Sequence, residues 1–187
     1  MTTTGRGDWT RIDGRPAIRF ERELAHSPQR VWHAIVDPME LTAWFPCRID
    51  GDLTTVGAEL RFVFEDDSAS EEITTGRVLE VEYASRLRFT WAGEEIRIEL
   101  EPVGGEDGAD AARTRLVFSD LMPPEHEPTA ARTAAGWHSC LADLDDFLAT
   151  GVRNARGHEP DAPWRALYDA YVADGVPHGA PIPNGSH

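Results

Sequence analysis

At 187 residues, 41% hydrophobic and 27% charged, the chain has the length for one domain with a sizeable core and the balance of an ordinary globular protein. Its net charge of −15 sets it against nucleic acid and anionic membrane surfaces, because phosphates are repelled overall. All 18 basic residues are arginine, which excludes Schiff-base and lysine-base chemistry.

Residues 1–15 are polar and glycine-rich and read as a loose leader. AIRFEREL (17–24) then alternates, with Ile18, Phe20 and Leu24 on one side and Arg19, Glu21 and Glu23 on the other, the mark of a strand with one buried face. Arg22 shares the parity of the apolar set. A helix follows, with Ser27 as N-cap, Pro28 at its first position, and Val31, Trp32 and Ile35 as its buried stripe. Asp37-Pro38 ends it, and MELTAWF (39–45) predicts a second short helix stopped by Pro46.

From Cys47 onward the apolar period changes to two. The segments 47–53, 58–64, 73–83, 86–92, 95–103 and 112–121 predict six successive strands, punctuated by Gly57, Ala84-Ser85, Gly93 and the GGEDGAD loop. The alternation is one-sided: Leu87, Phe89 and Trp91 stand against Arg86 and Arg88, and Ile96, Ile98 and Leu100 against Arg97, Glu99 and Glu101. An antiparallel meander with one wet face accounts for this. Gly76, in the middle of a long strand, predicts a bulge. The other face needs a cover, and the helix beginning near Glu127 supplies it. There Trp137, Cys140, Leu141, Leu144, Phe147 and Leu148 recur at three- and four-residue steps, and Gly151 is the expected C-cap. Beyond it, 152–187 is an extension with one short helix, capped by Asp161 and striped by Trp164, Leu167, Tyr168 and Tyr171, and a disordered end.

Cys47 and Cys140 lie far apart and in no ligand-like spacing, which speaks against a disulfide framework or a structural zinc. The opening MTTTGRGDWTRIDGRP has no apolar core of signal-peptide length, and no apolar run approaches the roughly 20 residues of a membrane span. The expected location is the cytoplasm. No Gly-rich phosphate loop, HExxH, GxSxG or Cys-x-x-Cys motif is present, so no catalytic residue, metal or cofactor is assigned.

The stretches SPQRVWHAIVDPMELTAWF (27–45) and GWHSCLADLDDFL (136–148), with VGAELRFVF and GRVLEVEYASRLRFTW between them, resemble the START-like SRPBCC superfamily. They are most similar to the branch named for the activator of heat-shock protein 90 ATPase. The resemblance covers about residues 17–150. It implies an α+β helix-grip fold of the START/Bet v-like kind, a curved seven-stranded antiparallel sheet wrapped around a long C-terminal helix, over residues 16–151. It also implies a cavity between the concave face and that helix, opening near the short second helix. Members bind lipids, polyketides, hormones and other apolar molecules, and some are cyclases or dehydratases. The founding activator works through a further N-terminal domain, so chaperone activation is not carried over.

In that fold Trp44, Phe45, Phe62, Phe64, Phe89, Trp91 and Trp137 reach one interior, where they either line a ligand or simply fill the core; Leu141 joins them from the long helix. Arg22, facing the same side, needs a partner or binds an anion, and Glu72, Glu80 and Glu82 are its candidate partners. His138 is a boundary residue or an acid–base group. The expected function is the binding of an apolar small molecule by a monomer or homodimer, with no nucleic-acid or membrane partner. The alternatives are a cyclase- or dehydratase-like enzyme using Arg22, His138 or a strand carboxylate, and a protein-interaction role on the outer sheet surface.

Overall fold

The period-two segments pair in sequence order, and the hairpins between them build one sheet. The computed structural model describes residues 5–64, 72–104, 113–153 and 162–182. Its strands are β1 (Asp8–Ile12), β2 (Arg15–Leu24), β3 (Arg48–Asp50), β4 (Glu59–Phe64), β5 (Glu72–Glu82), β6 (Arg86–Trp91), β7 (Glu94–Val103) and β8 (Arg113–Leu121). Its helices are α1 (Pro28–Val36), α2 (Pro38–Leu41), α3 (Ala130–Thr150) and α4 (Ala162–Ala173). The sheet is antiparallel and curved, in the order β1-β2-β8-β7-β6-β5-β4-β3.

Eight strands stand where the sequence predicts seven. The extra one, β1, comes from the stretch read as loose. Asp13 and Gly14 both take positive φ, +53° and +77°, and so make the two-residue turn that matches strand twist and pairs Ile12 with Arg15. The Asp-Gly pair was the signal for it, and a polar composition hid it.

Ser27 caps α1 as the sequence predicts, its Oγ accepting from the Arg30 N–H at 3.2 Å. Asp37, read from the sequence only as the end of α1, also opens α2 by accepting on Oδ1 from the N–H groups of Met39 and Glu40. At the other end of the chain a 3₁₀ turn over Pro124–Thr129 leads into α3, which Gly151 closes in the left-handed conformation. The buried face of α3, including Trp137, Leu141, Leu144 and Leu148, lies over the concave side of the sheet. The opposite face of the sheet carries ion pairs: Arg88 and Arg97 both grip Glu95, Arg97 reaches Asp13, and Arg86 and Arg88 hold Glu80.

Helix α4 docks through buried Trp164 and Tyr171, as its stripe predicts. The end of the chain departs from its predicted disorder as far as residue 182. The Ala131 N–H donates to the Pro177 carbonyl, the Ala180 N–H to that of Pro128, and Arg132 to that of Pro181, while Val176 is buried. These prolines lose little entropy on ordering, which lets a polar tail be held by three backbone carbonyls. Asp161 and residues 183–187 lie outside the described residues.

The irregularity of β5 falls between Val78 and Glu80, beyond Gly76 where the sequence placed it. Gly76 serves a different purpose: a Cβ there would overlap the Thr90 carbonyl of β6 and press on the Phe62 ring. Gly136, in the middle of α3, has open space at the corresponding point. Gly76→Ala is therefore expected to lower stability by about 2 kcal/mol or more, while Gly136→Ala raises it by about 0.5–1 kcal/mol. Chemical denaturation of the two variants beside the parent chain measures both.

Candidate functional site

Where α2 ends, the Phe45 N–H donates to the Leu41 carbonyl and delivers the Phe45 ring to the concave face of the sheet. Its ring centroid stands 5.4 Å from that of Trp137, 5.5 Å from that of Trp91, and 6.4 Å from those of Phe62 and Phe89. Trp91 stacks on Phe62 at 5.0 Å and on Phe64 at 5.9 Å, and Trp137 packs on Phe118 at 4.4 Å. The array is graded. Trp137, Phe45, Phe62 and Phe89 are buried, whereas Trp91 and Phe64 are half-exposed and form its outer edge.

Six of the predicted residues therefore meet: Phe45, Phe62, Phe64, Phe89, Trp91 and Trp137. Leu141 is buried one turn along α3. Trp44 touches Phe45 but spends its indole N–H on the Ala34 carbonyl at 2.9 Å, which ties α1 to the end of α2. Arg22 stands apart. Its guanidinium lies over the Phe20 ring, donates to the Glu21 carbonyl, and faces Tyr171 and Asp145. The partners predicted for it are elsewhere, since Glu80 and Glu82 pair with Arg86 and Arg88 on the opposite face, and the Glu72 side chain lies outside the described residues.

His138 also belongs to that second region. Its Nδ1 meets the Tyr171 hydroxyl at 3.0 Å, and the same hydroxyl accepts from the Gly7 N–H at 2.9 Å. Burial, with Arg22 and Arg6 nearby, pushes the His138 imidazole down to about 4, so it stays neutral and fastens α3 to α4 and the N-terminal segment. Burial likewise raises both thiols, Cys47 to about 12, which leaves no reactive thiolate.

The residue the sequence reading missed is Asp120. In β8 it follows Leu116 and Phe118 at steps of two and so joins the concave face, flanked in register by Ile18 and Ile96. It is 0% exposed. Trp137 Nε1–H donates to its Oδ2 at 2.7 Å, while Oδ1 has no hydrogen-bond partner among the described residues. One step outward Glu94 lies directly across from Trp91 on the same face, and its Oε1 meets His126 Nδ1 at 3.0 Å. Burial raises the Asp120 carboxyl well above the usual range, and the charge of Glu94 raises it further, against weaker opposition from Trp137, Arg15 and His126. Burial also pushes Glu94 up to about 7. Strand parity was the available signal: Asp120 occupies an apolar position of an otherwise apolar run.

The interior thus offers aromatic surface on several sides and one carboxylic acid with an unspent oxygen. Among the described residues no group of three or more His, Cys, Asp or Glu side chains is placed to hold a metal ion. No described helix is long and apolar enough to cross a membrane. A surface cleft of about 460 Å³ under the returning tail, lined by Pro124, Pro128 and Pro177 among others, shares none of the aromatic residues.

The sequence profile of the activator of Hsp90 ATPase homolog 1-like protein family matches residues 25–149. Among solved structures, the chain is similar to EF2215 from Enterococcus faecalis, a conserved protein of unknown function (21% identity, TM-score 0.64, 90% of this chain and 89% of that one). It is also similar to DynU16, a protein in the dynemicin biosynthetic locus (26% identity, TM-score 0.60), aligning 75% of this chain with 50% of that one. CalU16 from Micromonospora echinospora shares the fold at 18% identity and a TM-score of 0.63, over 92% and 98% of the two chains. No curated protein is similar to the chain at a significant level.

The raised carboxyl carries a sign. An acid that holds its proton more tightly when folded contributes stability that is fully present below its unfolded value, about 4, and is lost as pH rises through the folded value. Asp120→Asn removes this contribution. The variant should therefore gain stability relative to the parent chain as pH is raised from about 4 to about 8, measured by denaturation at each pH; a constant difference would contradict the assignment.

Proposed function

The chain belongs to the activator of Hsp90 ATPase homolog 1-like protein family, and from that premise we propose that it binds a small, largely apolar molecule between the concave sheet face and α3. The observation that carries the reading is the convergence of six aromatic rings from β4, β6, α3 and the connection after α2 on one face, with a buried acid among them whose second oxygen has no partner among the described residues. A core meant only to be filled needs one acceptor for the Trp137 N–H, and a second buried oxygen without a hydrogen bond is costly. A ligand site gains orientation from it, because apolar walls supply affinity and a single polar group supplies direction.

The partly exposed rings of Trp91 and Phe64, stacked at 5.9 Å on the outer edge of the array, make the natural entrance. The similarity to a protein in a biosynthetic locus agrees with a small organic molecule as the ligand, at 26% identity. Electrostatics favours a neutral or cationic molecule over an anion, because Glu94 and the overall charge of −15 both repel negative charge.

N-phenyl-1-naphthylamine, an uncharged probe whose emission rises in apolar surroundings, tests the reading. It should bind saturably, with energy transfer from tryptophan, and Trp91→Ala should weaken binding about two- to tenfold, the worth of one aromatic contact. His138→Ala should leave the affinity unchanged, because that side chain faces Tyr171. A linear, non-saturating emission change in the parent chain would rule the site out.

A further inference from the structure

Asp120 presents two oxygens with different histories. The indole N–H of Trp137 already serves Oδ2 at 2.7 Å. Oδ1 is buried and has no hydrogen-bond partner among the described residues. A carboxyl group in such surroundings, between Ile18 and Ile96 and beneath Trp137, is stable only with its proton in place. The oxygen that accepts from the indole is best left as the carbonyl oxygen, so the proton resides on Oδ1. The group is then an O–H donor whose hydrogen bond no described residue uses.

Building on the binding reading above, we propose that Asp120 recognises the bound molecule by donating the Oδ1 hydrogen bond to an acceptor oxygen, and that the ligand class is a neutral, largely apolar molecule carrying a carbonyl oxygen. Two features of the surroundings select that class. The donor is neutral, so it favours a carbonyl oxygen over a carboxylate, which would meet the Glu94 side chain on the same face. The recognition is also discriminating. A ligand without an acceptor leaves a buried donor unpaired, whereas a ketone satisfies it.

Asp120 touches the ligand and needs no proton transfer to do so. Trp137 is its positioning residue: the indole N–H fixes which oxygen carries the proton, and packing at 4.4 Å on Phe118 fixes the indole. Glu94, hydrogen-bonded to His126, lies on the same face as the acid, and its charge keeps the ionised form of Asp120 unfavourable.

The test uses two probes of nearly equal shape, 2-acetylnaphthalene and 2-ethylnaphthalene, bound to the full chain and followed by tryptophan quenching. The ketone should bind about three- to tenfold more tightly than the hydrocarbon. Asp120→Asn, whose amide N–H₂ replaces the hydroxyl as donor, should keep that preference. Asp120→Leu should abolish it by weakening the ketone alone. The carbonyl stretching band of bound 2-acetylnaphthalene supplies a second reading that a merely structural role would not move: it should shift to lower frequency in the parent chain relative to cyclohexane. Equal affinities in the parent chain, or an unshifted carbonyl band, would overturn the assignment of Asp120 while leaving the binding reading intact. Failure of both probes to bind would overturn the two together.

Discussion

The hydrogen bond from Trp137 to Asp120 is the constraint around which the interior is arranged. A tryptophan at the centre of a sheet–helix interface brings large apolar area and one N–H that burial leaves without water. Some acceptor must come from the sheet, and backbone carbonyls within a sheet are committed to their neighbours. A carboxyl on the concave face meets the need, and it fixes the rotation and height of α3 over β8 more narrowly than apolar packing does. Phe118, two residues before Asp120, completes the seat. Phe45 and Trp91 then close on the exposed edge of the indole.

The other side of α3 is built on another principle. There Tyr171 acts as a hub between α4, the Gly7 N–H and His138, with Arg6 over its ring and Asp174 beside Arg6. His138 meets Tyr171, Arg6 pairs with Asp174 at 2.9 Å, and Arg22 lies near Asp145 and Tyr171. Polar atoms that find protein partners stabilise an arrangement; a polar atom left over at the concave face invites something else. The contrast lies between two sides of the same helix, one fastened by polar contacts and one facing the aromatic array. Arg22, read from the sequence as a ligand-binding residue, and His138, read there as a boundary residue or an acid–base group, both stand on the fastened side.

Most of the architecture was legible because the physics that forms it is local. The alternation of Leu87, Phe89 and Trp91 against Arg86 and Arg88 names the wet face of β6 without reference to any other strand. Ser27 announces its helix through its own side chain. The aromatic array was legible for the same reason, since each ring sits at a position its own element marks as buried. Long-range relations were not. Arg22 sits on the apolar parity of β2, but only the pairing order of the sheet decides which carboxylates it faces. Asp120 sits at the end of a strand, where alternation is weakest, and only the register with Ile18 and Ile96 shows how completely it is enclosed. β1 and the tail to residue 182 are held by backbone hydrogen bonds, which composition does not record.

A buried acid with a free donor invites comparison with a general acid, and the energetics decide against that role. Proton transfer is efficient when the group's affinity for its proton lies near the working pH, so that both forms are accessible during turnover. Burial and the neighbouring Glu94 act in the same direction on Asp120, and each makes the ionised form harder to reach. Giving up the proton would leave a charge between two isoleucines and beneath an indole, with one hydrogen bond to stabilise it. The group is therefore suited to lend its hydrogen bond and keep its proton. Glu94, raised only to about 7 and hydrogen-bonded to His126 across from Trp91, is the less enclosed of the two carboxyls. An acid that keeps its proton inside, with a second carboxyl nearer the surface, is the charge distribution that the proposed binding role requires.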